Sequence, residues 1–327
     1  MPNANDYLEI LRIASIQANG KWWPKYVYHY TDIHNAVSIL ETGKVFSRNR
    51  AREIMINENA SLEVIAQTPE RIKDFVRFYF RPKTPTQYRN EGYIPKNLRS
   101  YEGSNVPVPI FFAFEAKDML AKEDSMFSEI SLAKSNSSLT NDIEDFKKFD
   151  FRKIYSDGYY NGEALTPYRN AEMVIPNECD LKHLKHIWCR TNAEYNSLCF
   201  MLKEKGIYNQ YKELIGVKEN NNDLFFKNSI YISQVNLNED NAKILYKNSD
   251  LLNDGEMNLK FIVNVNDLTY PSKTIKNQLI TEVRFSKEII SEILKSKNYI
   301  FEIYFDDSLV YKCNYSYTDD QLNDLPY

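Results

Sequence analysis

Two periodicities of apolar residues alternate along the first two-thirds of the chain. Leu8, Ile10, Leu11, Ile13, Ala14 and Ile16 keep helical spacing and stop near Gly20. Tyr26 to Tyr30 reads as a strand. Asp32 is placed to cap a helix carried by Ile33, Ala36, Val37 and Leu40, which Gly43 stops. A second helical stretch, Ser61 to Lys73, leads into the strand Val76–Phe80. Pro82 and Pro85 end that strand, because neither can donate a ladder hydrogen bond. Val108–Phe114 predicts another strand. The polar stretch Ser125 to Lys148, with Ser135-Asn136-Ser137-Ser138, predicts a surface insertion. Tyr155 to Asn170, rich in Gly, Asn and Tyr, predicts a long functional loop. It leads to the apolar run Met173-Val174-Ile175, a buried strand closed by Pro176. Thr191 and Glu194 form a capping-box pair for a helix that reaches about Lys205.

The pattern changes at Glu219-Asn220-Asn221-Asn222-Asp223, which predicts a linker between a unit of residues 1–218 and one of residues 223–327. Beyond it come short alternating runs: Ile230–Val235, Lys243–Tyr246, Leu259–Val265, Glu282–Phe285, Tyr299–Phe305 and Val310–Tyr315. Asp306-Asp307-Ser308 reads as the turn joining the last two, and only Lys287–Leu294 reads as helix there. Strands at this density predict a β-rich domain, a small sandwich or barrel. The fold class expected for the whole is α+β.

Composition narrows the function classes. A chain of 327 residues is long enough for two cores. Its 41 Lys and Arg against 45 Asp and Glu leave a formal charge of −4, which argues against a broadly basic coat but leaves room for a local basic groove. Cys179, Cys189, Cys199 and Cys313 form no close pair, and their intervals match no zinc pattern. His183 and His186 lie beside two of them, yet no metal is expected. With no secretory h-region and no apolar run long enough to span a bilayer, the expectation is a cytoplasmic protein with reduced thiols and no membrane role. No Gly-x-Gly-x-x-Gly string and no phosphate-cradling Gly-rich loop occur, so a Rossmann dinucleotide site is disfavoured.

Three blocks carry candidate chemistry. In Tyr168-Arg169-Asn170-Ala171-Glu172-Met173-Val174-Ile175-Pro176 a carboxylate enters a buried strand, where a charge costs free energy unless it is paired or needed for chemistry. In Tyr28-His29-Tyr30-Thr31 a His and a Thr end a strand just before a capped helix, where ligand groups are often presented. In Val76-Arg77-Phe78-Tyr79-Phe80-Arg81-Pro82-Lys83-Thr84-Pro85, continuing to Gln87-Tyr88, an aromatic is available to stack and an arginine to clamp phosphate oxygens. Together these blocks resemble the DarT family of ADP-ribosyltransferases, which use NAD to modify nucleobases. The resemblance covers about residues 26–205 and stops before the C-terminal third.

That resemblance implies an ADP-ribosyltransferase-type mixed α/β fold, with NAD consumed as co-substrate. It implies that Glu172 orients a ribose hydroxyl and helps deprotonate the acceptor base, and that His29 and Thr31 seat the nicotinamide ribose and amide. Tyr79, Arg81 and Tyr88 are then candidates for the cofactor site. The family also uses an arginine between its first two blocks; Arg71 is the first choice, with the cluster Arg48, Arg50 and Arg52 as the other source. Tyr159, Tyr160 and Asn161 are placed to stack on and hydrogen-bond an unpaired base, with Arg169 near a phosphate. A base attacked at a ring atom must leave the duplex, so the expected acceptor is single-stranded nucleic acid. DNA is favoured by the resemblance, and RNA remains open. A toxin or anti-phage role is implied, with a macrodomain that removes the mark or a neutralising or regulatory protein as partner. Two alternatives stand beside this reading: the same fold acting on RNA or a protein side chain, and an inert nucleic-acid-binding module.

Overall fold

The computed structural model describes residues 2–52, 65–66, 68–99, 105–157, 165–219 and 223–316. Among the described residues nine strands belong to the part before residue 220: β1 Tyr26–Asp32, β2 Lys44–Phe46, β3 Phe75–Tyr79, β4 Pro109–Glu115, β5 Met126–Ser128, β6 Glu172–Pro176, β7 Glu178–Asp180, β8 Leu184–Cys189 and β9 Ile215–Val217. Seven of them form the central sheet in the order β5-β6-β3-β1-β4-β8-β9, antiparallel except for the last pair. β2 and β7 pair separately. β4 lies inside the sheet with every residue but Glu115 buried, as the near-continuous apolar run Ile110–Phe114 demands. Its Ile110, Phe112 and Phe114 join the main core, while Phe111 and Ala113 join a second cluster on the opposite face.

The sheet is not uniform. β1 matches β4 at seven register positions and β3 matches β6 at five, but β1 and β3 meet at a single position, Tyr28 opposite Tyr79. Past that point the two strands part. The helix Ile33–Thr42 leaves directly from the end of β1. Asp32 caps it by accepting the His34 N–H, Gly43 ends it at φ +68°, and Ile33, Ala36, Val37 and Leu40 are buried.

Several expectations need correction. Ser125–Lys148 is not a surface insertion: β5 extends the central sheet, and Phe127, Leu132 and Phe146 are buried. Three apolar residues spaced through a polar stretch were enough to anchor it. The helix expected over Ser61 to Lys73 lies partly outside the described residues; its end, Glu70–Asp74, is a 3-10 turn begun after Pro69. The first helix, Ala4–Gln17, buries Tyr7, Ile10, Leu11 and Ala14 but leaves Leu8, Ile13 and Ile16 exposed.

The C-terminal part is β-rich: β10 Tyr231–Leu237, β11 Asn241–Lys247, β12 Asn258–Val265, β13 Leu268–Pro271, β14 Ile275–Lys276, β15 Glu282–Arg284, β16 Asn298–Phe305 and β17 Ser308–Ser316. They form two open sheets, β10-β11-β15 and β13-β12-β16-β17 with β14 on β12, and neither closes into a barrel. One helix, Lys287–Ser296, and the β16–β17 hairpin turn at Asp306 stand where the pattern placed them.

The two parts are joined by buried polar groups. Glu91, wholly buried, accepts the Phe226 and Lys227 N–H groups at 2.9 and 2.8 Å and the Gln87 amide at 2.6 Å. Arg190, also buried, holds Glu194 and donates to the Ser229 hydroxyl at 3.2 Å. Thr191 donates to the Ile232 carbonyl, and the Lys312 N–H to the Ser197 hydroxyl. Leu224 and Phe225 cover Tyr28 and Phe111 on the central sheet.

Candidate active site

A cavity lies where β1 and β3 part. Its walls are His29, Tyr30 and Thr31 at the end of β1, Asn35, Ser38 and Thr42 from the following helix, Lys44 and Phe46 from β2, then Arg48, and finally Phe75, Arg77 and Tyr79 from β3. The empty volume is ≈ 1020 Å³, open mouth included.

His29 bridges the gap between the parted strands, its Nδ1 lying 3.2 Å from the Arg77 carbonyl oxygen. Burial lowers its pKa below the usual 6.5, and the bond to that carbonyl opposes this only in part. The ring is therefore neutral at pH 7, with Nδ1–H donating to the carbonyl and Nε2 left as an acceptor. Thr31 is buried beside it in the same wall. Tyr79 keeps its phenolic proton, since burial raises its pKa, and its hydroxyl meets Thr86.

Glu172 is the register partner of Tyr79 across β3 and β6, and its side chain is wholly out of solvent. Arg77 Nε and Nη2 grip its two carboxylate oxygens, one each. Burial works against the charge on Arg77, but the adjoining carboxylate more than offsets it and raises the arginine's pKa above the ordinary value. This bidentate pair is how a carboxylate is tolerated among Ala171, Met173 and Val174, all buried. Arg77, in turn, lines the cavity.

Of the residues singled out in the sequence, His29, Thr31 and Tyr79 come together in the cavity wall, and Glu172 stands behind it through Arg77. Arg81 does not reach the cavity. It is buried over the Trp23 ring and donates to the carbonyls of Pro82, Ile154 and Ser156 and to Asp157, so it ties the loop after helix Phe151–Tyr155 to β3. Tyr88 is exposed on the short helix Pro85–Asn90, edge-on to Phe226 at 5.1 Å. Arg71 is exposed on the 3-10 turn before β3 and lines no part of the cavity. In the basic cluster, Arg50 pairs with Glu178, which also holds Lys44, and Arg52 pairs with Glu70; Arg48 and Lys44 line the cavity. Arg169 is half-buried on the 3-10 turn Tyr168–Asn170 that feeds Glu172 into β6, and burial lowers its pKa. Tyr159, Tyr160 and Asn161 lie outside the described residues, as does Glu163.

Like Lys44, Arg77 is a candidate residue that the sequence did not single out. It sits within the aromatic run Val76–Phe80, and its partner lies 95 positions away, so only the β3–β6 pairing brings them together. The histidine–cysteine cluster resolves differently: His183 lies 3.6 Å from Asp118 and His186 stacks on Trp188. Among the described residues no group of three or more His, Cys, Asp or Glu is placed to hold a metal, and no helix is long and apolar enough to cross a membrane.

Cations from Lys44, Arg48 and Arg77 share this cavity with aromatic rings and hydroxyls, a donor set that fits the diphosphate, ribose and nicotinamide of NAD. A mixed α/β core with such a cavity beside a buried carboxylate is the architecture of an ADP-ribosyltransferase. Residues 28–214, more than half of the chain, match the family model described as "DarT: ssDNA thymidine ADP-ribosyltransferase, DarT", and the chain belongs to that family. Similar solved structures include Thermus sp. 2.9 DarT in complex with ADP-ribosylated ssDNA, at 17% identity and a TM-score of 0.48, covering 60% of this chain and 95% of that one. The same Thermus protein in complex with NAD+ has 17% identity and a TM-score of 0.46, covering 60% of this chain and 96% of that one. Thermosipho africanus DarTG in complex with ADP-ribose also has 17% identity and a TM-score of 0.46, covering 63% and 53%. No curated protein matches the chain by sequence.

Proposed function

We propose that this chain transfers ADP-ribose from NAD to a base, thymidine by its family, in single-stranded DNA, with Glu172 as the carboxylate at the reacting centre. The observation that carries the reading is the buried Glu172–Arg77 pair behind a cavity that also gathers His29, Thr31 and Tyr79 from separate blocks of sequence. NAD supplies the ADP-ribosyl group and the nicotinamide leaving group. His29 and Thr31 hydrogen-bond the nicotinamide ribose and amide, Tyr79 packs on the ring, and Arg48 and Lys44 neutralise the diphosphate. As the bond between nicotinamide and ribose breaks, Glu172 offsets positive charge on the ribose carbon and takes the proton lost by the acceptor base. Arg77 holds both carboxylate oxygens of Glu172 and must release them towards the acceptor. The arginine of the family's first interval is better filled by Arg48 than by Arg71. Arg169, Tyr159, Tyr160 and Asn161 belong to the acceptor side.

An enzyme that marks DNA bases harms the cell that holds it. The reading therefore includes a toxin or anti-phage role in the cytoplasm, restrained by a neutralising protein or reversed by a macrodomain. Such a partner binds the β-rich strands between residues 223 and 316.

Labelled NAD incubated in turn with single-stranded DNA, duplex DNA, RNA and protein tests the reading. Label on single-stranded DNA with nicotinamide release is the expected result. Label on RNA or protein alone would move the acceptor, and no nicotinamide release with any of them would make the chain a binding module.

A further inference from the structure

A single line of register partners crosses the central sheet: Glu172 opposite Tyr79, Tyr79 opposite Tyr28, Tyr28 opposite Ala113, and Ala113 opposite His186. Side chains directly opposite one another leave the same face of a sheet. His186 therefore stands on the face that carries Glu172 and Tyr79, opposite to the one that His29 and Thr31 leave beside Phe112 and Ile110, and four strand spacings or about 19 Å from Glu172.

Around His186 the sheet carries a cluster of rings and lysines. His186 lies parallel to Trp188, 4.8 Å between ring centres, and Trp22 meets Trp188 edge-on at 5.3 Å. Tyr26 holds the imidazole through its hydroxyl, 3.1 Å from Nε2. Lys218 Nζ sits 5.3 Å from the centre of Trp188 and 5.7 Å from that of Trp22, and Lys25 Nζ 5.6 Å from that of Tyr26. Trp22 and His186 are half-buried, and Lys25 and Lys185 are exposed. Lys25, Lys185 and Lys218 all act on His186, joining burial in lowering its pKa, with Glu115 the opposing charge. A protein with a formal charge of −4 has thus gathered three lysines around stacked rings.

Between the two ends Leu224 and Phe225 cover Tyr28 and Phe111. The cover is flanked by Lys21 over Trp23 and Lys83 over Phe226, with Asp223 bonded to Trp22 Nε1. Lys83 holds φ +56° between Pro82 and Thr84, a conformation that costs about 1 kcal/mol or more in a non-glycine residue and persists where the surroundings fix it.

We propose that the single-stranded DNA acceptor runs from the catalytic cavity across this face, and that the Trp22–Trp188–His186 corner with Lys25, Lys185 and Lys218 binds nucleotides a few positions from the modified base. The inference rests on the proposed function for the identity of the strand. Trp188 is itself buried, so the half-exposed rings of Trp22 and His186, with cations beside them, are the features offered to unpaired bases and their phosphates. Duplex DNA offers no exposed base faces to such a platform, and a protein partner offers no regular series of phosphates.

Anisotropy of fluorescent oligothymidines, measured on the full chain in rising salt, tests it, using a long strand and one just long enough for the cavity. The triple variant K25E/K185E/K218E should weaken long-strand binding and flatten its log–log salt slope by about 2, at about 0.7 for each phosphate no longer neutralised. His186→Ala should weaken long-strand binding about tenfold, within the range for one stacked base. The short strand should bind both variants as it binds the unmodified chain, and nicotinamide release should persist. Unchanged long-strand affinity in both variants would overturn the proposal. So would equal losses on short and long strands, or a larger loss on RNA or duplex DNA than on the long single strand. Because binding is read without transfer, a chain that binds through this corner yet labels nothing would fail the proposed function alone.

Discussion

Glu172 is kept in a buried strand by one neighbour, and that dependence makes the pair measurable. Removing Arg77 leaves an unpaired buried carboxylate, a change that costs about 3–5 kcal/mol in such settings. Arg77→Met should therefore destabilise by that order in urea denaturation, and adding Glu172→Gln should return most of the loss. No recovery in the double variant would mean that Arg77 stabilises through its packing. His29 adds a pH dependence. Its folded pKa is depressed by burial, so below 6.5 the unfolded chain takes a proton that the folded chain refuses. Stability should be full above pH 6.5 and fall as the pH drops through the folded value, and His29→Gln should flatten that fall between pH 7.5 and 5.5. His183 and His186, also depressed by burial, contribute in the same direction and leave a residual slope. The His29, Thr31 and Glu172 candidates were legible because each sits at a strand end in a local pattern. Arg77 was not, because its meaning depends on a strand pairing that no local pattern encodes.

At the scale of elements, the parting of β1 from β3 creates the cavity, and nothing in either strand's alternation announces it. The β1–helix junction was legible down to its cap and stop, because Asp32 and Gly43 act through local backbone geometry. The polar stretch over Ser125–Lys148 was misread because a short strand needs only one or two buried side chains, here Phe127 above all, to join an edge. Gly92 shows how tightly another pair of elements approaches. It has φ +77°, and a Cβ there would stand 1.7 Å from the Ser229 hydroxyl and 2.7 Å from Arg190 Nη1. Gly92→Ala should cost about 2–4 kcal/mol in chemical denaturation. Gly43→Ala, with a similar φ but open space around it, should cost about 1 kcal/mol. Equal costs at the two positions would deny the close approach.

Across the whole molecule, the change in pattern near residue 220 marks where the β-rich strands begin, and the buried groups on either side show how the parts depend on each other. A chain ending at Asn222 would strip Glu91 of two backbone donors and Arg190 of Ser229, and would expose Phe111 and Tyr28. Each unsatisfied buried group costs about 1–3 kcal/mol. The shortened chain should accordingly be insoluble or unfolded, whereas a soluble fragment that still transfers ADP-ribose would make residues 223–327 a separable module. The change of pattern was legible from composition; the hydrogen bonds across it were not, since most of them join positions far apart in the chain. The proposed chemistry turns on one carboxylate. Transfer of labelled ADP-ribose to single-stranded DNA by Glu172→Gln, with folding checked by circular dichroism and NAD affinity by calorimetry, tests it most directly. A folded variant that binds NAD but transfers at least about a hundredfold more slowly is the predicted result. Near-normal transfer by that folded variant would contradict the account.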